Sequence, residues 1–483
     1  MSTTKGEKYE LVVGLEVHAQ LATKSKIFSA DSAAFGAGPN QHVSMVSLGH
    51  PGTLPFLNKK AVAYAIKMGL ACNCQINLKN RFARKNYFYA DLPKGYQISQ
   101  DQQPVCKGGH VNVKLADGSR KAIAIHHIHM EEDAGKSMHD SHSECSLIDL
   151  NRAGVPLIEI VSEPDIRSAE EAGQYLTEIR KLVRYLDICD GNMEEGSLRC
   201  DANISVRLKG AATLGNRCEV KNLNSIRNVQ RAIEHEFNRQ VNVIENGGHI
   251  EQNTLNFDAD TGETSVLRSK EMANDYRYVP EPDLPPLVVG AEWQAEILKN
   301  LPELPEARRA RMIAEYEISA QDAATLTATR EFADRFDVAA KKVKSPKRVA
   351  SLLTSELTMR LRAAELEPKQ SPVSMEGVVM AADLAESGEL SSKMLKQLLD
   401  TCFAEGKDFA EVYERDKPQQ ISDTGAIEAM IDEVIAANPK QVEQYRGGKK
   451  TVAAFFVGQV MRLSKGQANP SLLNDLVVKK LDS

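Results

Sequence analysis

A proline-rich segment at residues 280–286, Pro-Glu-Pro-Asp-Leu-Pro-Pro, divides this 483-residue chain into two parts of different character. Proline lacks the backbone N–H and fixes φ, so the segment can continue neither a helix nor a central strand. All 11 histidines precede it, at or before His249, and seven of the eight cysteines lie at or before Cys218. Because catalysis relies on such side chains, we expect the functional site in the first part. We predict three domains, at residues 1–290, 291–405 and 406–483.

The first part has the residue pattern of strands and turns with a few helices. Strand patterns with β-branched residues or period-two alternation occupy residues 10–20, 111–115, 122–126 and 202–208. Asp117-Gly118 between two of them is typical of a hairpin turn. Helical periodicity occupies residues 61–70, 168–186 and 225–244, with Asn224 or Ser225 as the cap of the last helix. This combination predicts an α+β fold with a large antiparallel sheet.

The second part is predicted to be helical and carries two basic clusters. Helical patterns occupy residues 291–300, 307–316, 321–336, 348–366 and 391–399. The first cluster, without an acidic residue, is Lys341, Lys342, Lys344, Lys347 and Arg348. The second, in the acid-free stretch 444–474, is Arg446, Lys449, Lys450, Arg462 and Lys465. Each cluster is either a solvated face or a surface for nucleic-acid phosphates.

Overall composition narrows the class of protein. The net charge of −6 excludes a bulk polyanion binder, so any nucleic acid must be held by local patches. No run approaches the roughly 18 apolar residues of a membrane span, and the first ten residues contain no apolar signal core. Eight scattered cysteines do not make a disulfide scaffold. We therefore expect a cytoplasmic protein without membrane association.

Acidic residues and one histidine in the first part are candidate metal ligands. Glu16 and His18 lie two residues apart on a predicted strand, so their side chains share a face. Met-Glu-Glu occurs at residues 130–132 and again at 193–195. Together these groups offer the hard oxygen ligands that Mg²⁺ prefers, and the histidine leaves Mn²⁺ as the alternative. Taken singly, each is more often an exposed polar face or a solvated loop.

Several other familiar sites are not supported. Asp-Ala-Gly-Lys-Ser at 133–137 ends like a phosphate loop, but Met130 stands where the first glycine is required. Cys72 and Cys74 have no second pair at zinc spacing. No Gly-x-Ser-x-Gly elbow is present. The sequence therefore gives no sign of an intrinsic hydrolase or glutaminase nucleophile.

Two segments combine aromatic, basic and amide side chains. Residues 84–100 place lysine and arginine beside tyrosine and phenylalanine, which suits nucleotide or RNA-end stacking with phosphate contact. Residues 221–227 precede a helix whose N-terminus could hold an anion. The alternative for both is structural, as an aromatic core and a capped helix.

Long motifs spread over nearly the whole chain carry a family resemblance. They are residues 13–21 (Val-Gly-Leu-Glu-Val-His-Ala-Gln-Leu), 84–89 with 96–100, 130–136, 149–159, 193–203, 219–225, 458–462 and 465–470. In these motifs the chain closely resembles the B subunits of the bacterial tRNA-dependent amidotransferases, GatCAB, from about residue 8 to residue 480. The resemblance implies a kinase-like cradle domain on an antiparallel sheet, then a helical domain and a YqeY-like helical tail.

The resemblance also implies a reaction and partners. A protein of this family binds misacylated Glu-tRNA(Gln), and in many bacteria Asp-tRNA(Asn), and uses ATP to phosphorylate the side-chain carboxylate. The A subunit hydrolyses glutamine and supplies ammonia, which forms the amide, and the C subunit completes the heterotrimer. Which amide is made in the cell depends on the synthetases that coexist with the enzyme.

Site residues carry over only at matching motif positions. The implied metal ligands are Glu16, His18, Glu131, Glu132 and Asp201, for Mg²⁺ or alternatively Mn²⁺. The implied catalytic residues are Lys85, Glu132 and Glu16, and we expect Glu16, His18, Glu132 and Asp201 to share one metal-sized space. Candidates for ATP or substrate binding are Lys85, Asn86, Tyr87, Glu194, Glu195, Arg199, Asn203 and Lys221. For tRNA they are Lys341, Lys342, Lys344, Arg446, Lys449, Lys450 and Lys465.

Two other functions stay open on the sequence alone. One is a non-catalytic RNA-binding or assembly subunit in which the acidic turns are structural. The other is a free-standing metal-dependent ligase that forms amides from ammonia without partners. Metal-dependent ATP turnover and the need for partner proteins separate these from the amidotransferase function.

Overall fold

The computed structural model describes residues 8–100, 102–139, 145–269, 276–366, 368–416, 424–464, 468 and 470–482. The chain divides into two compact units, Met1–Leu304 and Pro305–Ser483. Strands and helices build the first unit, and the described elements of the second unit are helices. The predicted α+β class is confirmed.

The first unit is organised around one large sheet. The strands are β1 Tyr9–Gln20, β2 Gln75–Ile76, β3 Lys79–Asn80, β4 Ala83–Asn86, β5 Tyr96–Ser99, β6 Cys106–Lys107, β7 His110–Lys114, β8 Arg120–Glu132, β9 Lys136–His139, β10 Ser146–Asp149, β11 Pro156–Ser162, β12 Leu198–Leu208, β13 Cys218–Leu223, β14 Asn253–Phe257, β15 Thr264–Ser269, β16 Val279–Pro280 and β17 Leu287–Val288. The large sheet has 13 strands, in the order β15-β14-β13-β12-β1-β11-β8-β5-β4-β16 with β2, β6 and β7 joined beside that path. Its described pairings are antiparallel except for β13 with β14.

Four helices accompany the sheet in the described part of the first unit, and three of them begin at a side-chain cap. They are α1 Lys59–Ala71, α2 Ala169–Tyr185, α3 Ile226–Glu245 and α4 Ala291–Lys299. Asn58, Ser168 and Ser225 accept hydrogen bonds from backbone N–H groups in the first turns of α1, α2 and α3. Such a bond satisfies a donor that the helix itself leaves unpaired. Of the two predicted caps of α3, Ser225 is therefore the one used.

The core of the first unit follows from the alternation of β1. Val13, Leu15, Val17 and Ala19 are 0% exposed, whereas the residues between them are partly exposed. The buried side chains join one apolar cluster with residues of α1, α2 and α3. Helices therefore cover one face of the sheet, and the polar side chains of β1 are left on the other.

The proline-rich segment lies within the first unit. Pro280 belongs to β16, the last strand of the sheet path, where a missing N–H costs no ladder bond. Trp293 and Ile297 of α4 pack against the first core, so the structural division falls after Leu304 and not at residue 290. The difference is one helix, which the sequence pattern alone assigns to the helical part.

The described residues of the second unit form two separate apolar cores. Its helices are α5 Pro305–Tyr316, α6 Ala320–Leu326, α7 Arg330–Ala340, α8 Pro346–Ser351, α9 Thr358–Ala363, α10 Met375–Glu386, α11 Ser392–Glu405, α12 Phe409–Asp416, α13 Thr424–Ala437, α14 Pro439–Arg446, α15 Ala453–Leu463 and α16 Pro470–Asp482. A π-helical turn, Leu352–Leu357, joins α8 to α9. One core runs from Met312 to Val412 and the other from Ile427 to Leu481. Among the described residues no helix combines the length and apolar character that a membrane crossing requires.

The core of β1 gives a stability prediction. Replacing Leu15 by Ala should lower the free energy of unfolding of the first unit by about 2–5 kcal/mol, because the change leaves a cavity in a fully buried layer. The matched control is Leu267→Ala on β15, where the side chain is 57% exposed and the change should stay within about 0.5 kcal/mol. Urea denaturation measures both. Equal effects at the two positions would contradict this account of the core.

Candidate active site

The uncovered face of the sheet forms the floor of a cavity of about 1180 Å³. Glu16 and His18 of β1 line it, as the two-residue spacing predicts. His129 and Glu131 of β8, Glu159 of β11 and Arg199 and Asp201 of β12 also line it. The floor is therefore assembled from four neighbouring strands that lie far apart in sequence.

A row of charged side chains crosses these strands. In the register of the sheet His18 lies opposite Arg199 on one side and opposite Glu159 on the other, and Glu159 in turn lies opposite His129. Directly opposed residues in antiparallel strands bring their Cβ atoms to about 5 Å, so opposite charges attract across the row. The row places the acidic Glu159 between His18 and His129, with Arg199 on the other side of His18.

The first carboxylate group consists of His18, Glu131 and Glu159. Their ligand atoms lie within 4.8 Å of one another, and His18 Nε2 is 3.2 Å from Glu159 Oε2 and 3.7 Å from Glu131 Oε1. His129 Nε2 approaches the same two carboxylates, at 3.2 Å from Glu159 Oε2 and 3.6 Å from Glu131 Oε2. Two imidazoles therefore share two carboxylates in a mostly buried space.

Electrostatics holds both imidazoles protonated. Burial lowers the pKa of His18, but Glu159, Glu131 and Asp201 outweigh it and raise that pKa to about 9. Burial also lowers the pKa of His129, but Glu159 and Glu131 outweigh it and raise that pKa to about 10. Burial raises the pKa of Glu159, yet His18 and His129 hold it well below its ordinary value. The group is thus charge-balanced by its own histidines.

The second carboxylate group consists of Glu16, Asp201 and Glu219, whose oxygens lie within 4.8 Å of one another. Glu16 and Asp201 are directly opposed on β1 and β12. The register of β12 with β13 shifts between Cys200 and Ala202, which places an irregularity at Asp201. Such irregularities re-aim a side chain and are frequent beside active sites.

Two polar side chains brace the second group. Lys221 Nζ lies 2.5 Å from Asp201 Oδ2 and 3.0 Å from Glu219 Oε1, and Asn203 Nδ2 donates to Glu16 Oε1 at 2.8 Å. Burial lowers the pKa of Lys221, but Asp201 and Glu219 outweigh burial and raise that pKa above its ordinary value. The predicted candidates Asn203 and Lys221 are therefore brought together with Glu16 and Asp201.

The donor sets of the two groups fit divalent cations. Three carboxylates suit Mg²⁺, which binds oxygen ligands. Two carboxylates with one imidazole, as in the first group, also suit Mn²⁺. Because Glu16 and His18 are two residues apart on β1, the two groups lie about 7 Å apart along the strand.

A cationic donor stands next to these groups. Arg199 Nη2 donates to Asp133 Oδ2 at 2.8 Å, and Gln20 Nε2 donates to the same oxygen at 2.9 Å. Arg199 Nε is buried and has no hydrogen-bond partner among the residues that the structure describes. A buried guanidinium N–H without an acceptor is costly, and an anionic ligand would satisfy it.

Glu132 lies apart from the groups that it was expected to join. Its carboxylate accepts hydrogen bonds from Lys94 Nζ, at 2.5 and 2.6 Å, and from the backbone N–H of Ile98 at 2.8 Å. It lines a separate cavity of about 270 Å³ that also includes Lys26. The expectation that Glu16, His18, Glu132 and Asp201 share one space is therefore wrong for Glu132, because successive residues of β8 point to opposite faces. Its role in catalysis stays a prediction.

Lys85, Asn86 and Tyr87 of the aromatic segment are divided between the cavity and its wall. Lys85 and Tyr87 line the large cavity, and Lys85 Nζ is 4.6 Å from the ring centre of Tyr276. Asn86 Nδ2 donates to the backbone carbonyls of Tyr276 and Arg277. Asn86 therefore fixes the wall.

Glu194 and Glu195 lie on an exposed turn, where their backbone N–H groups donate to Asn192 Oδ1. They are not among the residues that line the large cavity.

The basic clusters lie in the second unit. Lys341, Lys342 and Lys344 are exposed, and Lys342 Nζ is 3.5 Å from Glu376. Arg446, Lys449 and Lys450 are exposed as well, and Lys450 Nζ is 2.6 Å from Asp482 Oδ1. A stretch without acids in sequence is thus partly neutralised by an acid that is near in space. Lys465 lies outside the described residues.

Sequence reasoning assigned no role to Glu159, Glu219 and His129, all of which belong to the two groups or their support. A signal exists for Glu159, since it is a single carboxylate in the otherwise apolar strand β11. A similar signal exists on β13, where Glu219 and Lys221 are charged residues two positions apart and therefore share a face of the strand. What the sequence does not contain is the register that sets these residues opposite His18 and Asp201.

Comparisons with known proteins agree over nearly the whole chain. The family model described as the GatB/GatE catalytic domain matches residues 11–295, and the one described as the GatB domain matches residues 334–481. Three relatives, from Solidesulfovibrio magneticus, Alkalilimnicola ehrlichii and Geobacter sulfurreducens, are each 51% identical to the chain. The alignments cover 98%, 99% and 98% of this chain and 99%, 100% and 99% of the relatives. Each relative is named as the B subunit of an aspartyl/glutamyl-tRNA(Asn/Gln) amidotransferase.

The raised histidine pKa values give a pH prediction. The pKa of His18 is about 9 in the folded protein and about 6.5 when unfolded, so its contribution is complete below pH 6.5 and is lost as pH rises through 9. Through His18 alone, the metal-free protein should therefore lose about 3 kcal/mol of unfolding free energy between pH 6 and pH 9.5, and His129, whose pKa is about 10, adds to this loss in the same direction. Urea denaturation at both values measures this. His18→Asn should reduce the pH dependence, and an unchanged dependence in this variant would contradict the assignment.

Proposed function

The chain belongs to the GatB family of tRNA-dependent amidotransferase subunits, and from this premise we propose that the cavity above the large sheet is where the substrate carboxylate is activated. Members of the family use ATP to activate the side-chain carboxylate of misacylated Glu-tRNA or Asp-tRNA, as part of a glutamine-hydrolysing ligase. One observation carries the assignment of the site. Two groups of metal-binding character lie side by side on the same sheet face, next to an unsatisfied guanidinium N–H.

The reaction explains why such a site is needed. A carboxylate repels nucleophiles and has no good leaving group. Transfer of the γ-phosphoryl group of ATP to one carboxylate oxygen gives an acyl phosphate and ADP. Attack of ammonia on its carbonyl carbon then breaks the C–O bond, releases phosphate and a proton, and leaves the amide. Enzymes assist phosphoryl transfer mainly by positioning and by neutralising charge.

We assign the two groups to divalent metal ions, with Mg²⁺ favoured by the oxygen-rich donors. When bound, such ions neutralise phosphate charge and hold the phosphates in line with the attacking oxygen. His18, Glu131 and Glu159 would hold one ion, and Glu16, Asp201 and Glu219 the other. His129 orients Glu131 and Glu159, in the way that outer partners orient metal ligands.

The cations around these groups have their own tasks. The unsatisfied Nε of Arg199 offers a hydrogen bond to a phosphate oxygen. Lys221 pairs with Asp201 and Glu219, and it holds these two carboxylates of the second group close together until phosphate binds. Lys85 lines the same cavity from β4 and presents its ammonium to the anionic substrates. Together these side chains bind and orient the phosphates.

The family name implies a multi-subunit enzyme, and we propose that its other members are the A and C subunits of a heterotrimer. Ammonia would come from the glutaminase, which is the A subunit, because this sequence has no recognisable glutaminase nucleophile. We further propose that misacylated tRNA is held by the exposed lysines and arginines of the second unit. The two apolar cores of that unit, from Met312 to Val412 and from Ile427 to Leu481, would belong to separate helical and tail domains. We also propose that the enzyme works in the cytoplasm, where translation takes place.

Replacing Glu131 by Gln tests the site. The variant should lose ATP-dependent amidation by about 100-fold, because a neutral amide is a weaker ligand than a carboxylate. Binding of charged tRNA should persist, since Glu131 is nearly buried in the sheet. The matched control is Glu234→Gln, at an exposed position on α3, which should leave activity unchanged. Full activity of Glu131→Gln would refute the assigned site and favour a non-catalytic binding protein.

The tail cations give a second test of the function. Lys449→Ala should raise the KM for charged tRNA more than Lys450→Ala, because Lys450 is already paired with Asp482. If Lys449 neutralises a phosphate, its loss should also reduce the slope of log affinity against log salt by about one unit or less. Amidation kinetics across a salt series measures both. Identical KM and slope in wild type and Lys449→Ala would remove this lysine from the tRNA surface.

A further inference from the structure

Three histidines of β8 form a chain of facing imidazoles at one end of the large cavity. His126 Nδ1 lies 2.6 Å from His127 Nδ1, and His127 Nε2 lies 3.0 Å from His129 Nδ1. His126 is exposed, His127 is half-buried and His129 is buried, so the chain runs from solvent toward the first carboxylate group. All three line the cavity, but His126 and His127 belong to neither carboxylate group. We call His126 and His127 the histidine pair.

A β-bulge brings the histidine pair together. Successive residues of a regular strand point to opposite faces, which would separate His126 from His127. In the pairing of β8 with β11, Val161 lies opposite His127 and Ser162 lies opposite Ile125, so His126 is the extra residue of a bulge. The bulge turns both side chains toward the cavity, where their Nδ1 atoms meet.

The close approach of the two Nδ1 atoms requires a positive centre between them. An imidazole nitrogen without a proton carries a lone pair, and two such lone pairs facing each other repel. One shared proton removes the repulsion, and so does a metal ion, for which neutral imidazole is a common ligand. Burial, together with His129 and His126, lowers the pKa of His127 to about 4, so this ring is neutral at physiological pH.

His129 gives the pair the support that metal-binding histidines usually have. Its Nε2 lies 3.2 Å from Glu159 and 3.6 Å from Glu131, and its Nδ1 contacts His127 Nε2. A hydrogen bond to the second ring nitrogen fixes the orientation of a ligating imidazole. The ring of His127 is therefore already held with its Nδ1 toward His126, and a bound ion would not have to order it.

The spacing of the two nitrogens selects the class of ion. Metal–nitrogen bonds of about 2.05 Å at a right angle place the nitrogens about 2.9 Å apart, against about 3.4 Å for a tetrahedral angle. The observed 2.6 Å needs only a small opening to reach the right-angle value. Ni²⁺ and Cu²⁺ suit such coordination and bind imidazole, whereas Mg²⁺ favours oxygen. We propose that the histidine pair binds a divalent transition metal ion of the Ni²⁺ and Cu²⁺ class through both Nδ1 atoms, with water in the remaining positions.

This site is separate from the two carboxylate groups. His127 precedes Glu131 by four residues, which is about 13 Å along an extended strand. Lys107 of β6 lies opposite His127, and its ammonium disfavours a second cation nearby. The inference goes beyond the proposed function, because binding of the ion needs neither ATP nor tRNA.

Calorimetric titration of the full chain with Ni²⁺ tests the inference. Excess Mg²⁺ is present throughout, to compete for the carboxylate groups. His126→Ala should weaken Ni²⁺ binding roughly 10-fold or more, because one of two ligands is lost and even an outer partner of a ligand is typically worth 10- to 100-fold. The matched control is His249→Ala, an exposed histidine that does not line the cavity, and it should leave the affinity unchanged.

Lys107→Gln should change the affinity in the opposite direction. Removing the ammonium opposite His127 should tighten Ni²⁺ binding roughly 2- to 5-fold, because the repulsion between two nearby cations is lost. A misfolded variant cannot bind the ion more tightly, so this result also guards against a loss of structure as the cause of the first effect.

Several outcomes overturn the inference. Absence of saturable Ni²⁺ binding in the wild type would refute the site outright. Equal affinity in wild type and His126→Ala would show that the ion binds elsewhere, and equal weakening in His249→Ala would show that the effect is not specific to the pair. Weaker binding in Lys107→Gln would contradict a cation next to His127. Because no ATP, tRNA or glutamine is present, failure of the proposed function would leave all of these results unaffected.

Discussion

The alternation of side chains along β1 is the constraint on which the rest of the first unit depends. Val13, Leu15, Val17 and Ala19 must stay in the apolar core, and this fixes Glu16 and His18 on the opposite face. A slip of one residue in the pairing with β11 and β12 would bury both polar groups and expose the apolar ones. Since that exchange costs several kcal/mol for each buried charge, the core that folds the sheet also sets the register of the site.

The same register makes a dense cluster of carboxylates tolerable. Buried acids are strongly unfavourable unless each finds a partner, and here the partners lie on adjacent strands. His18 and His129 form ion pairs with Glu131 and Glu159, and Lys221 forms ion pairs with Asp201 and Glu219. These pairs give the site a folded arrangement in which protons and an ammonium balance the acids. The arrangement is suited to exchanging those charges for metal ions and phosphates.

Sequence reasoning succeeded where neighbours in sequence decide the structure. Local spacing decides three features that were predicted correctly. They are the shared strand face of Glu16 and His18, the hairpin around Asp117-Gly118 and the Ser225 cap. The sequence also allows Glu131 and Glu132 to be assigned to opposite faces of β8. Ile128 and Met130 are apolar, and they lie on the same face of the strand as Glu132 because they precede it by four and two residues. By contrast, Glu159 reaches His18 across about 140 positions of chain, and Asp482 reaches Lys450 between two helical segments. Such pairs follow from register and packing, which residue spacing does not encode.

Strand β8 has a consequence for how chains of this fold can change in length. Glu131 faces one cavity and Glu132 another, so a single inserted residue within the strand would exchange the surroundings of every side chain on one side of the insertion. Insertions and deletions should therefore be absorbed outside the paired residues, at the turn between β7 and β8, or at points where the ladder is already irregular. Three such points exist among the described residues: between Val161 and Ser162, around Asp201, and between Thr254 and Leu255. All three adjoin the cavity, so even permitted length variation falls close to the chemistry.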